Sequence, residues 1–229
     1  MDHKSVKDFY NQQYALHRGQ QIRCPNSIHD LDKARRRVAG VIRGFGISNL
    51  QHRNVLDVGC GLGYYTKALS LIEAEVTGLD FSQAAVEVSQ ATFPECRFIQ
   101  GVWPEDVAAN PKFDLIWMVN FSMMNTFDVT FIDERLIAEA MQRLRPGGTI
   151  VVGWNSNFSG RVVDGWSHWD LRMLKEMRDR CGLSVPLVTE ARTQGLSWPL
   201  IVCAEAIGRS IPIFMVKHKP GVKPGRLVP

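Results

Sequence analysis

The sequence predicts a doubly wound α/β domain built on a mostly parallel, seven-stranded sheet, and three observations carry that prediction. Short apolar runs of strand length alternate with longer segments whose apolar residues recur at helical spacing. One run, "FDLIWMV" (113–119), is apolar almost throughout, as a strand buried on both faces of a parallel sheet requires. An earlier run, "NVLDV" (54–58), opens directly onto "GCGLG" (59–63), a turn of alternating glycines at the strand end where such sheets bind ligands.

The elements follow in order. Val6, Phe9, Tyr10 and Tyr14 fall at helical spacing within 2–18, so an amphipathic helix is expected there, broken by "RGQQIRCPNS" (18–27). Asp30 or Asp32 can cap a second helix running to about Phe45, with Leu31, Ala34, Val38, Val41 and Ile42 as its apolar stripe and Gly46 as its stop. After the glycine turn, 63–73 reads as a helix and "AEVTGLD" (74–80) as the next strand. "SQAAVEVSQATF" (82–93) is a helix with Ser82 at its N-cap. "CRFIQG" (96–101) is a third strand, with an irregular or helical piece around "PEDVAANP" (104–111) behind it. Beyond the fourth strand, 131–144 is a helix stopped by "RPGG" (145–148), and "TIVVGW" (149–154) is the fifth strand. A helix returns over 166–181, ended by Gly182. "VPLVTEA" (185–191) and "IPIFMVK" (211–217) look like strands, while the segment between them, 195–210, fits either a loop with a helix or a strand. The organisation expected is a helical cap or lid over 1–49, the α/β domain over 50–217 and a basic tail over 218–229.

Composition narrows the function classes. With 45% hydrophobic and 22% charged residues, a chain of 229 residues can bury a sizeable core. No apolar run has the length of a membrane helix, and the first residues carry acids without an apolar block, which does not read as a signal peptide. Five cysteines, none within four residues of another, argue against a disulfide framework and a zinc site, so a reduced, cytoplasmic protein without metal is expected. The net charge of +4 is mild, with basic residues gathered at "KARRR" (33–37) and in the tail. A run of that kind is ordinarily a solvated helix face, with nucleic acid or an anionic substrate as the alternative.

The glycine turn discriminates among cofactors. A dinucleotide fingerprint needs G-x-G-x-x-G, its third glycine packing helix against strand. Here Gly59, Gly61 and Gly63 are spaced G-x-G-x-G, and Tyr64 stands where that third glycine would fall. No Gly-Lys-Ser/Thr follows, so a phosphate-binding P-loop is excluded, and the dinucleotide reading is demoted.

"VLDVGCGLG" resembles the first motif of the class I S-adenosylmethionine-dependent methyltransferases. Asp80, closing "VTGLD", is similar to that family's acidic post-motif; "FDLIWMVNFS" and "LRPGGTIVV" are similar to its fourth strand and the entry to its fifth. The landmarks cover about 50–155, in order, and imply the Rossmann-like methyltransferase fold with S-adenosyl-L-methionine as cofactor and S-adenosyl-L-homocysteine as product. The resemblance implies that Asp57 orients the glycine loop and faces the methionine ammonium, while the backbone of Gly59, Cys60, Gly61 and Gly63 meets the methionine portion. It implies that Asp80 accepts the ribose hydroxyls; Phe81 would cover an adenine face or pack in the core. Many members place an aspartate after the third strand for the adenine amino group, but Val102 holds that position here. Its backbone N–H and a stacking Trp103 remain candidates, with Glu105 or Asp106 as substitute acceptors.

Asn120, at the end of the fourth strand, is expected near the methyl-transfer position, contacting either the cofactor's methionine end or the substrate, and "NFSM" lacks the prolines and aromatic residue used for planar amines. Tyr10 and Tyr14 are expected to close over the methionine carboxylate. His17, His29, His168 and Trp154 are the candidates for the substrate pocket, and His168 leads the histidines as a candidate base. The activity expected is metal-independent methyl transfer to an oxygen or nitrogen of a small-molecule acceptor. The alternatives are an RNA or protein methyltransferase, or a non-catalytic cofactor-binding partner subunit. Oligomeric state is left open.

Overall fold

A computed structural model describes residues 28–47, 49–110, 112–121, 134–156, 158, 170–184, 186–188 and 211–221. The elements in chain order are α1 (Leu31–Gly44), β1 (Asn54–Val58), α2 (Tyr64–Ser70), β2 (Glu75–Asp80), α3 (Gln83–Thr92), β3 (Arg97–Gln100), β4 (Phe113–Val119), α4 (Glu134–Arg143), β5 (Leu144–Asn155), α5 (Leu171–Cys181), β6 (Leu187–Val188) and β7 (Pro212–His218). The expected helix over 2–18, the segment 195–210 and the tail from 222 onward lie outside the described residues.

The seven strands form one sheet in the order β3-β2-β1-β4-β5-β7-β6. Strands β1 to β5 pair in parallel, whereas β7 runs antiparallel to both β5 and β6. Strand order reverses between β1 and β4, because β2 and β3 are laid down on one side of β1 and β4 on the other. A sheet of this class opens its binding crevice at that reversal, beyond the carboxyl ends of the strands.

Both faces of the sheet are covered, and the period-two alternation of strand side chains shows how. In β4, Leu115, Trp117 and Val119 face a layer containing Ala34, Val38 and Val41 of α1 and Tyr65, Ala68 and Leu69 of α2. Ile116 and Met118 face the opposite layer, with Leu136, Ile137 and Ala140 of α4 and Met173, Leu174 and Met177 of α5. The helix α1 therefore packs directly on the sheet and belongs to the α/β domain, although its residues fall in the stretch expected to be a cap.

Local signals explain most boundaries. Asp30 caps α1 by accepting from the Lys33 N–H at 2.9 Å, and Ser82 caps α3 by accepting from Ala85 at 3.3 Å. Gly182 ends α5 in the left-handed region at φ +65°. Three expectations are corrected. The helix α5 begins at Leu171, with Asp170 accepting from the Met173 N–H at 2.8 Å, rather than at 166. The "RPGG" segment is not a loop between helix and strand: β5 starts at Leu144 and bulges, its register jumping from Phe113↔Leu144 to Leu115↔Thr149. "KARRR" is not one solvated basic face, since Arg37 turns inward to donate to the Tyr65 hydroxyl at 3.2 Å and Arg35 pairs with Asp32 at 3.4 Å. Among the described residues, no helix is long and apolar enough to cross a membrane.

Candidate functional site

The loop from Gly59 to Gly63 leaves β1 at the reversal of strand order. All three glycines take positive φ, at +71°, +52° and +78°, a region that side-chain-bearing residues seldom enter. The loop is tied down at its start, where the Gly59 and Cys60 N–H groups both donate to the Leu79 carbonyl, at 2.8 and 3.0 Å. At its end Gly63 precedes α2, and a Cβ there would lie 2.6 Å from the Phe98 ring of β3. The close helix-to-strand approach is thus made at Gly63 rather than at position 64. Tyr64 turns aside, edge-on to Phe93 at 5.2 Å and near the His29 ring at 6.4 Å.

Two buried carboxylates flank this loop. Asp57 lies within β1 and is 2% exposed. Its side chain accepts from the Thr66 hydroxyl at 2.7 Å. Burial pushes the Asp57 carboxyl up to about 7, the Thr66 hydrogen bond opposes that rise, and the neighbouring Asp80 charge adds to it. Asp80, the last residue of β2, is 5% exposed. Its two oxygens accept from the Gly61 and Ser82 N–H groups, each at 2.9 Å. Burial raises it to about 6, against the pull of those two N–H groups.

This set has the chemistry to hold a polyhydroxylated, cationic ligand. A carboxylate oxygen that accepts one backbone N–H keeps a second lone pair for a hydroxyl, so Asp80 can serve two adjacent hydroxyls while still bracing the loop. Asp57 supplies negative charge at the turn, and the glycines leave the loop backbone bare. Cys60 is a packing residue: its thiol is buried, and burial together with the two carboxylates pushes its pKa far up, away from thiolate chemistry.

The remaining expected positions divide. Asn120 follows β4 with φ +54°, a conformation asparagine tolerates better than most residues, and its N–H donates to the Gly153 carbonyl at 2.8 Å. Phe81 borders Asp80, its carbonyl accepting from Gln100 Nε2 at 3.3 Å. The Val102 N–H already donates to Asp106 Oδ2 at 2.8 Å, so the substitute acceptor sits directly on the residue it was expected to replace. Trp103 and Trp154 are core residues, 2% and 3% exposed, rather than a stacking surface for the adenine and an open substrate-pocket group as expected. Tyr10, Tyr14, His17 and His168 lie outside the described residues.

Sequence reasoning missed Thr66 and Phe121. Counting one turn into the helix from Gly63 would have placed Thr66 over Asp57. No sequence signal marks Phe121, whose ring and backbone lie against Gly59, where a Cβ would come within 3.0 Å of its Cδ2. Among the described residues, no cluster of His, Cys, Asp and Glu is arranged to hold a metal ion.

Residues 55–148 match the family model described as a methyltransferase domain. The chain is similar to the ubiquinone biosynthesis O-methyltransferase of Alkalilimnicola ehrlichii, at 36% identity, the match covering 58% of this chain and 65% of that one. It is also similar to the trans-aconitate 2-methyltransferase of Klebsiella pneumoniae, at 28% identity, covering 60% of this chain and 49% of that one. It thus spans 49% of the length of one of these relatives and 65% of the other. In fold it is similar to the cyclase SpnF, with a TM-score of 0.63 and 18% identity over 95% of this chain and 96% of that one.

Proposed function

We propose that the chain, whose residues 55–148 match a methyltransferase-domain model, is a class I S-adenosylmethionine-dependent methyltransferase that transfers a methyl group to an oxygen or nitrogen of a small-molecule acceptor, without a metal. The observation that carries this reading is the pair of buried carboxylates, Asp57 and Asp80, on either side of a loop with three left-handed glycines at the reversal of strand order. The fold alone does not fix the reaction, since a cyclase shares it. The donor set is what favours this cofactor.

When bound, S-adenosylmethionine supplies a methyl group already activated by the positive charge on sulfur. The residues of the chain then have to bind, orient and exclude water. Asp80 accepts the ribose hydroxyls, and Asp57, steadied by Thr66, faces the methionine ammonium. The backbone from Gly59 to Gly63 lies against the methionine portion, with Cys60 packing behind it. Phe81 and the turn at Val102 border the adenine, with Trp103 supporting that turn from the core. Asn120 borders the reacting end, where alignment of the acceptor with the methyl group can lower the barrier by several kcal/mol. Tyr10 and Tyr14 close over the methionine carboxylate, and His168 takes the proton of a hydroxyl acceptor. The small-molecule reading draws support from the two relatives named for trans-aconitate and for ubiquinone biosynthesis. The inward turn of Arg37 weakens the RNA alternative, because it removes a cation from the exposed face of α1.

Calorimetric titration with S-adenosylmethionine tests the reading. Binding at micromolar concentration, with no response to NADH, is the expected result; no binding at millimolar cofactor would sink it.

A further inference from the structure

Arg143, the last residue of α4, is 5% exposed, and the mechanism above makes no use of it. A buried guanidinium is costly unless its N–H groups all find acceptors. Here Nε and Nη2 converge on the Val107 carbonyl at 2.9 and 2.7 Å, and Nη2 also reaches the Pro104 carbonyl at 3.0 Å. Nη1 meets the carbonyl and the carboxylate of Glu139, one turn earlier, at 3.1 and 2.5 Å. The acceptors thus saturate the fork of the guanidinium. Its central carbon also stands over the Trp103 ring, 5.1 Å from the centroid.

One side chain from α4 therefore holds three residues of the turn that follows β3: Trp103, Pro104 and Val107. The other end of that turn is tied to the cofactor carboxylate strand, where the Gly101 N–H donates to the Asp80 carbonyl at 2.9 Å. Asp106 is suspended between these anchors. Its Oδ2 accepts from the Val102 N–H at 2.8 Å, and its own N–H returns to the Val102 carbonyl at 2.9 Å. The Asp106 side chain is exposed and folds back over Gly101, where a Cβ would lie 3.1 Å from Asp106 Cβ.

We propose that Arg143 is a positioning residue for purine recognition: it clamps the turn 101–107 so that Asp106, braced on the Val102 N–H, accepts the 6-amino group of the bound cofactor. The inference rests on the S-adenosylmethionine reading above. It explains how the site works with valine at the position where an acidic side chain was expected. It also explains the residue type, since lysine offers three donors from one point and lacks the planar fork that spans Val107, Pro104 and Glu139 at once.

The test is calorimetry on the full chain with S-adenosylhomocysteine and with S-inosylhomocysteine, in which an oxygen replaces the 6-amino group. The wild-type chain favours the adenine compound by about tenfold or more, because the analogue turns an acceptor toward the Asp106 carboxylate. Asp106→Ala, at an exposed position, abolishes that preference, while a thermal melt records the separate cost of losing the acceptor of the Val102 N–H. Arg143→Lys brings the ratio of the two affinities to within about twofold, while a thermal melt separately records any loss of stability. If Arg143→Lys does not fold, Glu139→Ala removes one anchor from a half-buried position, and a lowered ratio is expected there. An unchanged ratio in the folded Arg143→Lys or Glu139→Ala protein overturns the positioning role, whatever the melt shows. An unchanged ratio in Asp106→Ala overturns the acceptor. Failure of the wild-type chain to bind S-adenosylhomocysteine at all would instead remove the methyltransferase reading and this inference with it.

Discussion

The two halves of the sheet meet at the same crevice yet are built differently. On the β1–β2–β3 side, the candidate site consists of backbone geometry and two carboxylates with short-range partners: Thr66 for Asp57, and Gly61 and Ser82 for Asp80. On the β4–β5–β7 side, the strands are sealed by apolar packing, with Trp117 and Phe214 ring centroids 6.0 Å apart, and the polar feature at the crevice is Asn120 in a left-handed conformation. The first side is specified by local spacing, so it suits a ligand that is always the same. On the function proposed above, the second side is where the acceptor binds, and loops rather than strands ordinarily carry such variable recognition.

The largest effect expected from breaking this contrast is at Gly63. Gly63→Ala puts a Cβ 2.6 Å from the Phe98 ring at a φ of +78°, so both overpacking and backbone strain act together. A loss of about 3 kcal/mol or more in unfolding free energy is expected from a denaturant melt. A variant as stable as the wild type would show that the loop tolerates a side chain and that its glycines are not geometric requirements.

A next-smaller effect separates stability from function on the cofactor side. Asp57 has a carboxyl raised from 3.8 to about 7 when folded, so the folded state holds a proton the unfolded state releases between those values. That contribution is fully present below about pH 4 and is lost as pH rises through about 7. Asp57→Asn is therefore expected to stabilise the ligand-free protein at pH 8 by roughly 2–4 kcal/mol, with no gain at pH 4, as thermal melts at the two values would record. The same substitution weakens S-adenosylmethionine binding. In the wild type, affinity falls as pH drops from 8 to 5, because the ionised carboxylates are the form that faces a cation. An affinity flat across that range would contradict the role of the pair.

The legibility of the molecule in its sequence follows the same division. The glycine angles in "VLDVGCGLG", the strand ends at Val58 and Asp80 and the Ser82 cap were readable because each depends on neighbours within a turn. Arg143 was invisible for the opposite reason. It ends a helix in a position that reads as a favourable charge near a C-terminus, and only the fold brings it to Val107 and Pro104. Trp103 was misread because an aromatic residue beside a binding turn looks the same in sequence whether it faces the ligand or the core. The start of β5 was misread because "RPGG" carries strong turn signals, and a bulge absorbs them within the strand.

The smallest effect belongs to the acceptor side. Asn120→Gly is expected to change stability by less than about 1 kcal/mol, since glycine accepts φ +54° without strain. Cofactor affinity should stay the same while the rate of methyl transfer falls, measured as turnover against calorimetric Kd. A fall in affinity with turnover intact would move Asn120 to the cofactor half and blur the contrast.

The most direct test of the central claim, that the β1–β2 half is an S-adenosylmethionine site anchored by Asp80, is a paired titration with S-adenosylhomocysteine. The wild-type chain should bind, and Asp80→Ala should bind at least about tenfold more weakly, because two charge-assisted hydrogen bonds are lost together. Equal affinity in the two proteins would contradict the claim.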